Sequence, residues 1–137
     1  GAGELLIQLV RLSLMELAGQ ETPLTQREAL KDRIRHHVAQ NLHDPALSID
    51  SMALALRCSK RLLHSAFAGD DETLNGYIQH QRLAASIRDL LEPANAARSI
   101  TDIALASGFS NLSHFSRVFR EHTGGSPSEF RRQAVKR

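Results

Sequence analysis

Two clusters of small polar and basic residues could do chemistry here, and in both the chemistry is hydrogen bonding rather than bond breaking. The first is Ser59, Lys60, Arg61, His64 and Ser65; the second is Asn111, Leu112, Ser113, His114 and Arg117. An arginine can grip the O6 and N7 of guanine with two parallel hydrogen bonds, and a lysine suits a phosphate or a guanine. A histidine can donate to or accept from a base edge, and a leucine can touch a thymine methyl. Asn111 can equally be the cap of the helix that follows it. Ser113 and His114 then fall in the first turn of that helix, with Arg117 one turn further on. No other constellation competes. His36, His37 and His43 lack the i, i+4 spacing of a helical metal site. A single cysteine, Cys58, allows neither an internal disulfide nor a cysteine-based zinc site. There is no nucleotide-binding loop and no Ser/His/Asp grouping, so no catalytic residue, metal or cofactor is expected.

The elements that must position the second cluster lie in Ser99–Arg132. Ser99 with Asp102 has the form of a capping box, and Ile103, Ala104 and Ala106 make an apolar face behind it. Gly108 stands where a helix must end and the chain reverse, a place only glycine enters freely. The next helix is expected from about Asn111 to His122, with Phe115, Val118 and Phe119 inward and Ser113, His114, Ser116, Arg117 and Arg120 outside. Gly124-Gly125 stops it. Ser126-Pro127-Ser128-Glu129 then supplies a cap, a proline at the first helical position and a returning glutamate for a last helix over about 127–134. A helix-turn-helix whose second helix shows small polar and basic side chains is a DNA-reading design.

The first cluster sits in a copy of the same unit, over about 48–68. Ile49, Met52, Ala53, Leu54 and Ala55 match Ile100, Ile103, Ala104, Leu105 and Ala106, and Ser59 matches Ser110. After a one-residue offset, Leu63, Ala66 and Phe67 match Phe115, Val118 and Phe119. Cys58 aligns with Phe109 and is expected to be buried. Between the copies, Thr73–Leu91 reads as one long helix with Leu74, Tyr77, Ile78, Gln81, Leu83, Ala84, Ile87, Leu90 and Leu91 on its core side, ended by Glu92-Pro93. About 18 residues at 1.5 Å each make a rod of roughly 27 Å, fit to hold two recognition helices about one DNA turn, roughly 34 Å, apart. The expected fold is all-α: two helix-turn-helix lobes joined by a long central helix, a homeodomain-like bihelical DNA-binding domain. The helix N-termini at Ser48–Asp50 and Ser99–Thr101 can hold phosphates through backbone N–H groups.

The run GF-x-N-x-x-x-FSRVFREHTGGSPSEFR resembles the second helix-turn-helix of AraC/XylS-type transcription regulators, and the resemblance extends from about Thr25 to the C-terminus. It implies a domain over 25–137 that binds double-stranded DNA, with both recognition helices in successive major grooves. It also implies a regulator of transcription initiation, commonly an activator that recruits RNA polymerase. A small-molecule effector would act only through an upstream domain, and the full-length protein could be a homodimer. Arg117 matches a position that is commonly basic in this family. The first unit departs from the pattern. Arg57 stands where a turn glycine is common, and Ala68-Gly69-Asp70-Asp71-Glu72 replaces basic residues followed by glycine. Three acids beside a recognition helix would repel phosphates by a modest, salt-screened amount. A protein-interaction domain that keeps the fold without DNA binding is the alternative reading.

Composition agrees with small helical lobes. Aromatic residues make up 4% of the 137 and Trp is absent, so the core must be largely aliphatic. The net charge is only +2, but from Ile103 onward six Lys/Arg (Arg117, Arg120, Arg131, Arg132, Lys136, Arg137) face two acids (Glu121, Glu129). Glu4–Ala18 is expected to be a helix apolar nearly all round (Leu5, Leu6, Ile7, Leu9, Val10, Leu12, Leu14, Met15, Leu17), which needs a partner that the rest of the chain cannot supply. Residues 1–24 are therefore expected to be the helix and linker of an upstream regulatory or dimerisation domain, with Gly19–Leu24 as the linker. Thr25–Glu28 is expected to cap a helix carrying Ala29, Leu30, Ile34, Val38 and Leu42. No apolar run reaches the roughly 18 residues of a membrane span, and without a leader peptide a cytoplasmic location is expected.

Overall fold

The computed structural model describes the backbone of residues 2–19 and 23–135, and the side chains of residues 2–11 and 25–135. The described residues form eight α-helices and no strand, as expected. The first lobe is α2 (Pro23–Asn41), α3 (Ile49–Leu56) and α4 (Lys60–Ser65), closed by the N-terminal half of α5 (Leu74–Leu91). The second is the C-terminal half of α5 with α6 (Ile100–Ala106), α7 (Leu112–Thr123) and α8 (Pro127–Val135). A short 3-10 turn, Pro93–Asn95, leads from α5 into α6.

Each lobe has its own core. Leu30, Ile34, Val38, Leu42, Leu47, Met52, Leu63, Ala66, Phe67, Leu74, Ile78 and Ala85 fill the first, and Cys58 packs at its edge, half-buried rather than buried. Leu83, Leu90, Ile103, Ala104, Phe109, Phe115, Val118 and Phe119 fill the second, with Phe130 against them. The central helix serves both cores from different faces, so one stripe cannot describe it. Ala85 and Ser86 are buried, while Ala84 and Leu91, expected inward, are exposed. Ser86 satisfies its hydroxyl by donating to the Leu83 carbonyl at 2.6 Å.

Side-chain caps set most of the helix starts. Ser48, Ser59, Thr73, Ser99 and Asn111 each accept from a backbone N–H in the first turn of α3, α4, α5, α6 and α7. At α8 the box is reciprocal: Ser126 accepts from the Glu129 N–H and Glu129 from the Ser126 N–H. The expected start of α2 is corrected. The helix begins at Pro23, not after a cap at Thr25, because proline at the first position is pre-set for helix and needs no N–H partner. Of that helix's expected stripe, Ala29 is exposed and the other four are buried.

The helix expected at Glu4–Ala18 is α1 (Ala2–Gly19). Leu5, Leu6, Ile7, Leu9 and Val10 are 50–64% exposed along it. The side chains of Leu12, Leu14, Met15 and Leu17, and the linker residues Gln20–Thr22, lie outside the described residues, as do Lys136 and Arg137. Among the described residues, no helix is long and apolar enough to cross a membrane.

Candidate nucleic-acid interface

The second unit presents its cluster on one face of α7. Phe115, Val118 and Phe119 anchor the opposite face, in a ladder of rings from Phe109 through Phe115 and Phe119 to Phe130 with centroids 5.0, 5.6 and 5.5 Å apart. Asn111 is the cap: its Oδ1 accepts the His114 N–H at 2.8 Å. Leu112 (40% exposed), Ser113, Arg117 and Arg120 face solvent. His114 is half-buried, and its Nδ1 lies 3.0 Å from Nη2 of Arg117. Among the described residues no carboxylate pairs with Arg117 or Arg120.

The first unit presents less. Ser59 caps α4, its Oγ accepting the Leu62 N–H at 3.0 Å, and Ser65 Oγ donates to the Leu62 carbonyl at 2.6 Å. Lys60 Nζ pairs with Asp50 Oδ1 of α3 at 2.9 Å. That leaves Arg61 and His64 as the exposed polar side chains of its cluster with no partner among the described residues. The offset between the copies also falls earlier than expected. Ser59 corresponds as a cap to Asn111, and Ser110 is the inserted residue.

The acidic run behaves differently from a free negative patch. Asp70 binds Lys31, and Arg27 of α2 at 3.3 Å. The hydrogen bond from Lys31 holds its carboxyl below the ordinary 3.8, with the charges of Lys31, Arg27 and Arg35 adding to it against some desolvation. Arg27 also donates to the Ala66 carbonyl at 3.1 Å and to that of Ala68, taking up acceptors just past the end of α4. Glu72 pairs with His80 Nδ1. Asp70 and Glu72 thus brace the turn after α4 against α2 and α5, while Asp71 is exposed.

Residues that the sequence did not single out fix the second unit against the first. Arg82 of α5 donates from Nε to the Leu42 carbonyl at 3.0 Å and from Nη2 to that of Asp44 at 2.8 Å. Burial of this guanidinium lowers its proton affinity, partly countered by the Asp44 charge. Gly108 lies against the same contact: a Cβ there would stand 2.0 Å from the Leu42 oxygen and 2.6 Å from Arg82 Nε, and its φ is +96°. His43 Nδ1 meets the Ala106 carbonyl at 2.7 Å. Near the other end of α7, His80 Nε2 lies 2.7 Å from His122 Nε2. Arg131, counted above in the basic excess, donates to the Arg98 and Asn95 carbonyls, both at 2.6 Å, and so ties α8 to the entry of α6. Only Gly108 carried a sequence signal; the arginines bind backbone carbonyls, which no side-chain pattern reveals.

A family model described as a helix-turn-helix domain matches residues 52–133, more than half of the chain. The chain belongs to the AraC/XylS family of helix-turn-helix DNA-binding domains. It is 34% identical over 101 residues to the transcriptional activator NphR of a Rhodococcus species, a match covering 74% of this chain and 29% of that protein. An AraC-type regulator structure from Chromobacterium violaceum superposes with a TM-score of 0.62 at 27% identity, covering 79% of this chain and 97% of the other. The DNA-binding domain of AdpA, solved with a target DNA, superposes with a TM-score of 0.66 at 20% identity, covering 77% and 92%. The chain spans 29–44% of the length of the curated relatives it matches. In this AraC/XylS domain α4 and α7 are the second helices of the two helix-turn-helix units, and Arg82, Gly108 and His43 set one lobe against the other.

Proposed function

We propose that this domain is a binding rather than a catalytic module. It reads double-stranded DNA at two adjacent major-groove segments and regulates transcription initiation as an activator. The observation that carries this reading is the outer face of α7: exposed, basic, free of internal carboxylates and held rigid by its aromatic inner face. Leu112, Ser113, His114 and Arg117 are its readers, with Asn111 as cap. Arg61 and His64 are those of α4, where Ser59 and Ser65 are structural and Lys60 must exchange Asp50 for a phosphate or base. AdpA, solved on a target DNA, and NphR, named an activator, support the reading by likeness. Arg120 and the open N-termini of α3 and α6 are phosphate contacts that position without specifying.

The exposed apolar side chains of α1 are assigned to contact with an upstream regulatory or dimerisation region. Through that region an effector and a second protomer would act, with RNA polymerase as the cytoplasmic partner of the DNA-bound regulator.

Selection of bound duplexes from a random pool tests the central claim. A site with two blocks about 10 base pairs apart is expected, with affinity falling as salt rises. One enriched block would assign reading to α7 alone. No enrichment and no salt dependence would overturn the proposal in favour of a protein-interaction domain.

A further inference from the structure

The geometry points to a second task for His114 beside its proposed place among the readers: it positions Arg117 and aims it at an acceptor-only base edge; this rests on α7 being a recognition helix. A guanidinium has hydrogens to donate and nothing to accept with. Its 3.0 Å contact with His114 Nδ1 therefore requires a lone pair on that nitrogen. In that contact Nδ1 accepts, which leaves the ring's proton on Nε2. The Asn111 cap fixes the His114 backbone through the N–H at 2.8 Å, and its ring lies 6.0 Å from that of Phe109.

The consequence concerns Arg117. A long exposed arginine samples many rotamers, and one N–H anchored on a half-buried ring restricts them. The remaining N–H groups are all donors. The major-groove edge that offers two acceptors side by side is that of guanine, through O6 and N7. His114 thus raises discrimination for guanine by narrowing where Arg117 can point.

The charged groups facing the ring are Arg117 on its own helix and Arg82 of α5, across a cavity of about 320 Å³ that the ring helps to line. The other residues of that cavity, from the loop after α2, from α5 and from the turn before α7, add no carboxylate. A second proton on His114 would remove the acceptor and set a cation beside Arg117, so the contact cannot survive it. Guanine preference should then fall on acidification.

The experiment is competition binding of this chain to its selected duplex and to single-base variants of the block read by α7, at several pH values. Arg117→Ala first identifies the base. His114→Leu, which has no acceptor, should lower the preference for that base about three- to tenfold, a part of what one bidentate contact supplies. His114→Asn keeps an acceptor at the δ position and has no titrating proton. It should restore most of the preference and make it flat in pH, whereas the wild type loses preference in acid. Should His114→Leu fail to fold, the wild type and His114→Asn still decide the matter through their pH profiles. Full preference in His114→Leu, or identical pH profiles for wild type and His114→Asn, would overturn the positioning role alone. An Arg117→Ala variant with every base preference intact would overturn it together with the reading of α7.

Discussion

The two helix-turn-helix units descend from one pattern but are finished differently. Beyond its turn α7 runs for 12 residues, and α4 for 6. The length difference has a local cause. The end of α4 is captured by Arg27, which takes the Ala66 and Ala68 carbonyls, and Gly69 turns the chain at φ +82°. The end of α7 is free to run to Gly124, a left-handed stop also at φ +82°. The inner faces differ too, largely aliphatic in the first lobe with Phe67 against Tyr77, and a ladder of four phenylalanines in the second. One unit spends its polar residues on itself, on caps and the Lys60–Asp50 pair. The other keeps two arginines that no carboxylate pairs with among the described residues. A shared supersecondary pattern therefore fixes a scaffold without fixing how much of it is left to bind a partner.

The largest effect should come from exchanging the two turn residues. Gly108→Val places a branched side chain at positive φ and against the Leu42 carbonyl. It should cost about 3 kcal/mol or more of unfolding free energy, read by urea denaturation. The matching position in the first unit is Arg57, which holds φ 54° and ψ 47° with a side chain present. Arg57→Gly should be stabilising by up to about 1 kcal/mol, since the left-handed strain disappears. Equal responses at the two turns would break the comparison.

Next in size are the reading residues. Arg117→Ala and Arg61→Ala should relax different blocks of the selected site, each by about 1–3 kcal/mol, with the larger loss of affinity at Arg117. Asp50→Asn sharpens the contrast. It frees Lys60 from its 2.9 Å partner and should raise affinity through the first block while steepening the salt dependence. A variant whose affinity and salt slope match the wild type would show that the pair never competes with DNA.

These predictions rest on features of unequal legibility. The caps at Ser99 and Ser126, the stop at Gly124 and the inward phenylalanines of α7 could be read directly, because each is a local rule written in a few neighbouring residues; Ser59, read as a DNA contact, is the cap of α4. The central helix was legible as an element but not in its facing, since Ala85 and Ser86 serve the join between two cores and obey neither stripe. Cys58 is read by analogy with Phe109, yet it packs only at the edge of the first core and is half-covered. The Arg82 clamp, the His80–His122 contact and the Arg131 tie span 33–42 residues and end on carbonyls or rings. Nothing local announces them, yet they tie α5 to the loop after α2 and to the end of α7, and α8 to the entry of α6.

The smallest effect isolates the brace that belongs to the first unit alone. Asp70 joins the turn after α4 to Lys31 and Arg27, and the hydrogen bond from Lys31 holds its carboxyl below 3.8. A carboxyl that is more acidic in the folded state than in the unfolded one contributes stability while it is ionised. That contribution is present above the ordinary carboxylate value and is lost as pH falls through the lowered folded value. The Asp70→Asn variant never has it. The urea midpoints of wild type and variant should therefore differ at neutral pH and converge on acidification well below 3.8. The gap should stay smaller than that produced by Arg57→Gly, because the pair is solvent-accessible and screened. Added salt should narrow it further at neutral pH. A gap that persists unchanged in acid would mean that the amide disturbs packing at the turn, and that the ion pair does not hold the end of α4 against α2.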